Sequence, residues 1–84
     1  VVEFYATACS HCKKLAGAIN KLSEEKGDDV FFGKCNIDQE ALLQSRFDIS
    51  AVPTLLFIKN GEIKNRLVGE VHPLIIQEEI KKLA

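Results

Sequence analysis

Apolar and polar positions along the chain fall into short blocks whose periods differ. Val1-Val2-Glu3-Phe4-Tyr5-Ala6 is brief and rich in β-forming residues, which predicts a strand. Thr7-Ala8-Cys9-Ser10 breaks it with small and capping residues. From Cys12 onward Leu15, Ala16, Ile19 and Leu22 recur on one helical face, with Lys13, Lys14, Asn20 and Lys21 elsewhere. This helix is expected to fray near Lys26-Gly27, where glycine permits a C-cap. Val30 to Ile37 reads as a second strand, and Asp38 is placed to cap a short helix over Gln39 to Arg46. A loop runs from Asp48 to Pro53. Thr54 to Ile58 is apolar on both faces, as a buried central strand is. Asn60-Gly61 is a strong hairpin signal, and a fourth strand follows over Glu62 to Val68, ending at Gly69. Pro73 suits the first turn of a last helix, with Ile76, Ile80 and Leu83 as its apolar face and Glu78 with Lys82 as an i,i+4 pair.

The predicted order is therefore β-α-β-α-β-β-α. Its first half is a crossover between parallel strands, and its second half is an antiparallel hairpin followed by a covering helix. This is an α/β fold with a mixed four-stranded sheet and helices on both faces.

Composition narrows the classes without changing that picture. The 84 residues, with no repeat or linker, make one domain over 1–84. At 46% apolar and 27% charged, the chain has the composition of an ordinary soluble globular domain. Its net charge of -1, from 11 basic and 12 acidic residues, gives no bulk electrostatic case for nucleic acid or an anionic membrane. No apolar run approaches the ~20 residues of a membrane span. Three cysteines are an odd set, which weakens the reading of a disulfide-stapled secreted mini-protein. A chain that starts at Val1 is expected to be a processed or trimmed piece, so a targeting segment lost upstream stays open, and the compartment leans to the cytoplasm.

Cys9-Ser10-His11-Cys12 is the most informative segment. Two cysteines at this spacing, opening a helix after a strand, bring their sulfurs within bonding distance around one turn. Unpaired N–H groups and the helix dipole favour a thiolate on the first. That thiolate is the attacking species, and the second cysteine can resolve a mixed disulfide. Cys9 is thus the expected exposed nucleophile and Cys12 the more buried resolving thiol. His11, as an imidazolium, would stabilise the Cys9 thiolate and so the reduced form, making the disulfide more oxidising. A solvated, uncoupled histidine is the plainer alternative. Metal binding is the alternative for the whole segment. Zinc usually takes two such ligand pairs, whereas here Cys35, His11 and His72 are the remaining candidates.

The chain resembles the thioredoxin family. The match lies in Val1-Val2-Glu3-Phe4-Tyr5-Ala6, Cys9-Ser10-His11-Cys12-Lys13, Asn36-Ile37-Asp38, Val52-Pro53-Thr54-Leu55-Leu56-Phe57, Lys59-Asn60-Gly61-Glu62 and Gly69, in order along nearly the whole chain. The resemblance implies a thioredoxin-like fold, in a minimal version lacking the family's first strand and helix. It implies a thiol–disulfide oxidoreductase with a reversible Cys9–Cys12 disulfide, acting on disulfide-containing client proteins and re-reduced by a thioredoxin-reductase-like electron donor. It implies a cis Val52–Pro53 bond packed against the active-site sulfurs. Ala51 and Val52 would present backbone to an extended client segment, and Gly69 would line the same groove, where a side chain could block approach.

The resemblance also draws Glu3 and Lys34 into the site. A carboxyl buried in a central strand has a raised pKa and is able to exchange a proton with Cys12. Relatives usually carry Asp there. Lys34 occupies the family's position for a partly buried lysine that pairs with this carboxyl. The alternative for both is a surface pair at strand ends. Ala8 replaces the family's tryptophan and opens the surface beside Cys9, Ser10-His11 replace Gly-Pro, and Gly17 replaces a helix-kinking proline. A histidine before the second cysteine is similar to disulfide isomerases and periplasmic oxidases of the superfamily.

Elsewhere plainer readings are expected. Cys35 is a buried small hydrophobe, with a regulatory thiol as alternative. His72 is a surface residue at a helix start. The Glu78-Glu79-Lys81-Lys82 cluster is a solvated face. Phe31, Phe32 and Phe57 are core candidates. No dinucleotide fingerprint is present, so no nicotinamide or flavin cofactor is expected. Three functional hypotheses remain: a monomeric protein-disulfide reductase, a more oxidising oxidase or isomerase driven by His11, and a non-catalytic binding or metal-binding module.

Overall fold

Among the described residues, four short strands and three helices follow one another as the hydrophobic periods require. The computed structural model describes residues 1–27 and 30–83. The order is β1 (Val2–Tyr5), α1 (Ser10–Lys26), β2 (Gly33–Asn36), α2 (Ala41–Arg46), β3 (Thr54–Lys59), β4 (Glu62–Val68) and α3 (Pro73–Leu83). The sheet runs β2-β1-β3-β4. β1 pairs parallel with β2 and antiparallel with β3, which pairs antiparallel with β4. This is the mixed sheet that the sequence predicts. The β3–β4 hairpin turns at Asn60 and Gly61, with φ of 55° and 79°, which an Asn-Gly step adopts readily.

Alternation along β3 divides its apolar residues between two cores. Leu55 and Phe57 join Val1, Leu15, Ile19, Leu22, Ile76 and Ile80 beneath α1 and α3. Leu56 joins Phe4, Cys35 and Ile49 on the opposite face, with Phe47, Val52 and Ile37 packed around them. The helical faces expected of α1 and α3 are the buried ones, Leu83 lying half-buried at the rim.

Several expectations are corrected. The second strand is Gly33–Asn36 instead of Val30–Ile37. A strand needs a partner, and the ladder with β1 opens at Val2 opposite Gly33. Upstream, the Val1 amino group donates to Phe31 O, and the Phe31 ring is 84% exposed, so it is no core residue. Phe32 is half-buried against the first core and Phe57 fully buried within it. The short helix starts at Ala41, after Glu40, which makes no side-chain cap. Asp38 turns away from it and accepts a hydrogen bond from Thr7 N–H at 2.9 Å. On α3 the lysines pair one residue nearer than expected: Lys81 with Glu78 at 3.4 Å and Lys82 with Glu79 at 3.2 Å.

Candidate active site

The turn from β1 into α1 carries the cysteine pair. Cys9 is the N-cap of α1, in extended backbone with φ -109° and ψ 107°, and its Sγ accepts the Cys12 N–H at 3.1 Å. Cys9 and Cys12 are disulfide-bonded, their Cα atoms 5.2 Å apart. Cys12 is buried and Cys9 half-buried, so the first sulfur is the one open to a reactant. The N–H that meets Cys9 Sγ also stabilises a thiolate there, as do the other free N–H groups of the first turn. Asn36 and Asp38 pin the turn from the side. Asn36 Nδ2 donates to Thr7 Oγ1 at 3.0 Å, and Asp38 N–H donates to Asn36 Oδ1 at 2.9 Å.

Register brings the proline loop to the same end of the sheet. Phe4 faces Thr54, which faces Val68, so Tyr5, Pro53 and Gly69 follow at one level. The Val52–Pro53 peptide is cis. Thr54 Oγ1 donates to Ala51 O at 2.7 Å, and Gly69 N–H donates to Pro53 O at 2.8 Å. Pro53 is buried, Val52 half-buried, and Ala51 and Ala8 exposed. At Gly69 the backbone itself calls for glycine. A Cβ there would meet nothing within 4 Å, but φ is 90°, which L side chains rarely adopt.

Glu3 lies in the sheet beneath α1. It is 2% exposed, and its Oε2 has no hydrogen-bond partner. Burial pushes its carboxyl above the usual carboxylate range, and the Lys34 charge pulls part of the way back. Lys34 is its neighbour in register on β2, yet that side chain is exposed where the family resemblance implies partial burial, and the two form no ion pair within 4 Å. Strand β2 is at the sheet edge, so a lysine there reaches water easily. A cleft of about 300 Å³ joins Glu3 and Lys34 to Cys12, Ala16 and Asn36. The acid and the buried sulfur thus open onto one water-accessible space.

His11 is exposed, and it is not free. Its Nδ1 donates to Glu70 Oε1 at 2.9 Å. Ser10, the first residue of α1, is exposed. His72 Nδ1 accepts the Leu74 N–H at 3.1 Å and so serves the start of α3. Cys35 is a buried free thiol, its pKa raised by burial and by Glu40. Among the described residues no three His, Cys, Asp or Glu side chains are grouped as a metal site, and no helix is long and apolar enough to cross a membrane.

A family model described as Thioredoxin matches residues 1–82. The chain belongs to the thioredoxin family. It is 33% identical over 82 residues to an M-type chloroplastic thioredoxin of Spinacia oleracea, covering 98% of this chain and 45% of that protein. It is 36% identical over 80 residues to thioredoxin-2 of Saccharomyces cerevisiae, covering 95% and 75%. The chain spans about half the length of the chloroplastic relatives it matches. Among solved structures it is similar to oxidized mitochondrial thioredoxin 3 of Saccharomyces cerevisiae, with a TM-score of 0.88 and 30% identity over 98% of this chain and 76% of that one. A malarial protein superposes with a TM-score of 0.90 at 25% identity, over 96% of this chain and 91% of that one.

Within this thioredoxin fold, Cys9, Ser10, His11 and Cys12 share one helical turn, Glu3 shares a cleft with Cys12, and Val52, Pro53 and Gly69 share the sheet end with them. Lys34 reaches the cleft only as an exposed rim residue. Sequence reading missed Glu70 and the Thr7–Asp38–Asn36 network. For Glu70 the available signal was a charged residue directly after Gly69. For Asp38 it was a side chain suited to accept from any nearby free N–H.

Proposed function

We propose that the domain is a thiol–disulfide oxidoreductase that reduces disulfides in client proteins. The observation that carries this reading is the disulfide between Cys9 and Cys12 at the start of α1, with the half-buried sulfur accepting a helix N–H. The Cys9 thiolate attacks one client sulfur, forming a mixed disulfide and releasing the other sulfur as a thiolate that takes up a proton. Cys12, deprotonated, then attacks Cys9 Sγ, which frees the second client sulfur and closes the Cys9–Cys12 disulfide. Glu3 is the proposed acceptor of the Cys12 proton through the cleft water; burial raises its proton affinity, which suits a group that takes up a proton and returns it. Ser10 contributes backbone N–H to the turn. Ala8, Val52, Pro53 and Gly69 are the proposed client-facing rim, with Lys34 at the cleft's outer edge. The four strands form one sheet on which α1 and α3 pack, which supports a single domain.

A reductase-like donor must return two electrons to the disulfide, and the family is what supports that partner. The cytoplasmic placement expected from sequence has no particular support from the relatives, since those matched include chloroplastic and mitochondrial thioredoxins. Reduction of insulin by the protein with dithiothreitol tests the reading. Cys9→Ser is expected to remove all catalysis above the dithiothreitol background; an unchanged rate would overturn it.

The second reading, a more oxidising couple, is favoured by His11 standing inside the turn. The potential of the Cys9/Cys12 couple separates the two: about -270 mV marks a thioredoxin-like reductant, and about -180 to -120 mV marks an isomerase or oxidase.

A further inference from the structure

His11 and Glu70 come from distant parts of the chain and meet at the end of the sheet that holds the cysteine pair. Their contact joins the first turn of α1 to the segment between β4 and α3, at 2.9 Å. Glu70 is delivered there by Gly69, whose φ of 90° turns the chain and whose N–H is tied to Pro53 O. The contact is therefore anchored to the proline loop and is more than a meeting of two loose side chains. Lys14, a turn further along α1, is the other cation that acts on this carboxyl. The His11 hydrogen bond foremost, then the Lys14 and His11 charges, outweigh partial desolvation and hold Glu70 below the usual carboxylate range. At neutral pH it is an anion.

An imidazolium in the turn favours the Cys9 thiolate, hence the reduced pair. A carboxylate bonded to the same ring, at 2.9 Å, sets an opposite charge beside it. Its field opposes that of the imidazolium at Cys9. Resting on the disulfide-exchange reading above, we propose that Glu70 is a positioning residue that holds and neutralises His11 and thereby keeps the Cys9/Cys12 pair on the reducing side. In exchange with glutathione, one Cys9–Cys12 disulfide and two glutathione thiols give two protein thiols and one glutathione disulfide. Two electrons and two protons pass to the protein. Glu70 acts on the position of this equilibrium and takes no part in the bonds.

The test is the glutathione equilibrium constant of wild type, Glu70→Gln, His11→Ala and the double variant, in mildly acidic buffer of low salt, where a histidine carries charge. Glu70→Gln keeps the shape of the side chain and removes its charge. It is expected to favour the reduced pair by about two- to fivefold, the scale of an exposed ion pair. The Cys9 thiolate absorbance should then rise at lower pH. In the His11→Ala background the same substitution should shift both quantities less, since the ring no longer holds the carboxylate beside the turn. An unshifted Glu70→Gln, or a shift that keeps its full size without His11, overturns the proposal while leaving the exchange reading intact. A wild-type protein that does not exchange with glutathione overturns both.

Discussion

On one face of the sheet α1 and α3 lay the apolar sides Leu15, Ile19, Leu22, Ile76 and Ile80 over Leu55 and Phe57. On the other face the short α2 buries no residue of its own, and Phe4, Cys35 and Leu56 are covered by residues that follow it, chiefly Ile49 and Phe47. The Phe4 and Phe47 rings meet at 5.9 Å, tilted by 54°. Arg66 of β4 fastens this cover by donating to Phe47 O at 2.7 Å and Asp48 O at 3.1 Å. One face is thus sealed by helical periodicity and the other by a loop tied down with polar bonds. The candidate chemistry follows that division. Cys12, Glu3 and the cleft lie on the face with the long helix, where a rigid element fixes the sulfur at one end and packs the core along its length. Precise sites need such support.

Leu55 and Leu56 allow the sharpest comparison, because they are adjacent, both fully buried, and point into opposite cores. Leu→Ala in a core costs about 2–5 kcal/mol, and the cost rises where the surroundings cannot close the cavity. Leu55→Ala is expected near the upper end, beneath two helices. Leu56→Ala is expected near the lower end, beneath a loop that can settle. Urea midpoints at constant slope measure both, and the reverse order would break the comparison.

Glu3 is the polar exception on the helical face, and its sign is opposite. Because burial raises its pKa, the folded state holds the proton more tightly than the unfolded chain. Stability should therefore fall as pH rises from the ordinary glutamate range through the raised value of Glu3, and level off above it. Glu3→Leu removes this fall and should stabilise the protein at neutral pH by about 1–3 kcal/mol, the scale of an unsatisfied buried group. Melts across pH check it, and a stability loss at neutral pH would show that the carboxylate is better solvated than its burial implies. The same variant should slow the closing of the Cys9–Cys12 disulfide. The smallest effect belongs to Leu42, 87% exposed on α2. Leu42→Gln should change stability by no more than about 0.5 kcal/mol, since little of that helix contributes to the second core.

Much of this architecture is legible in local pattern. The helical recurrence of Leu15, Ile19 and Leu22, the doubly apolar Thr54–Ile58 run and the Asn60-Gly61 turn each encode their element within a few residues. Cys9 and Cys12 are legible for the same reason, since their spacing and the helix start are local. What escaped reading depends on partners. Val30 to Phe32 looks like strand, but the ladder with β1 opens only at Gly33. Asp38 is an equally good acceptor for a helix N–H and for Thr7 N–H, and only the path of β1 beside β2 decides between them. Lys82 has two acidic residues within a turn, and the fold sets it beside Glu79.

By itself, then, the sequence determined the order of elements, the buried faces of the two longer helices, and which sulfurs can form a ring, because each follows from periods and spacings within one segment. Tertiary structure alone decided that Glu3 is deprived of a partner while Lys34 reaches water, and that His11 is met by Glu70 across 59 positions of chain. Those outcomes set charges and proton affinities. Such quantities depend on what the fold brings within a few ångströms, and no local pattern records it.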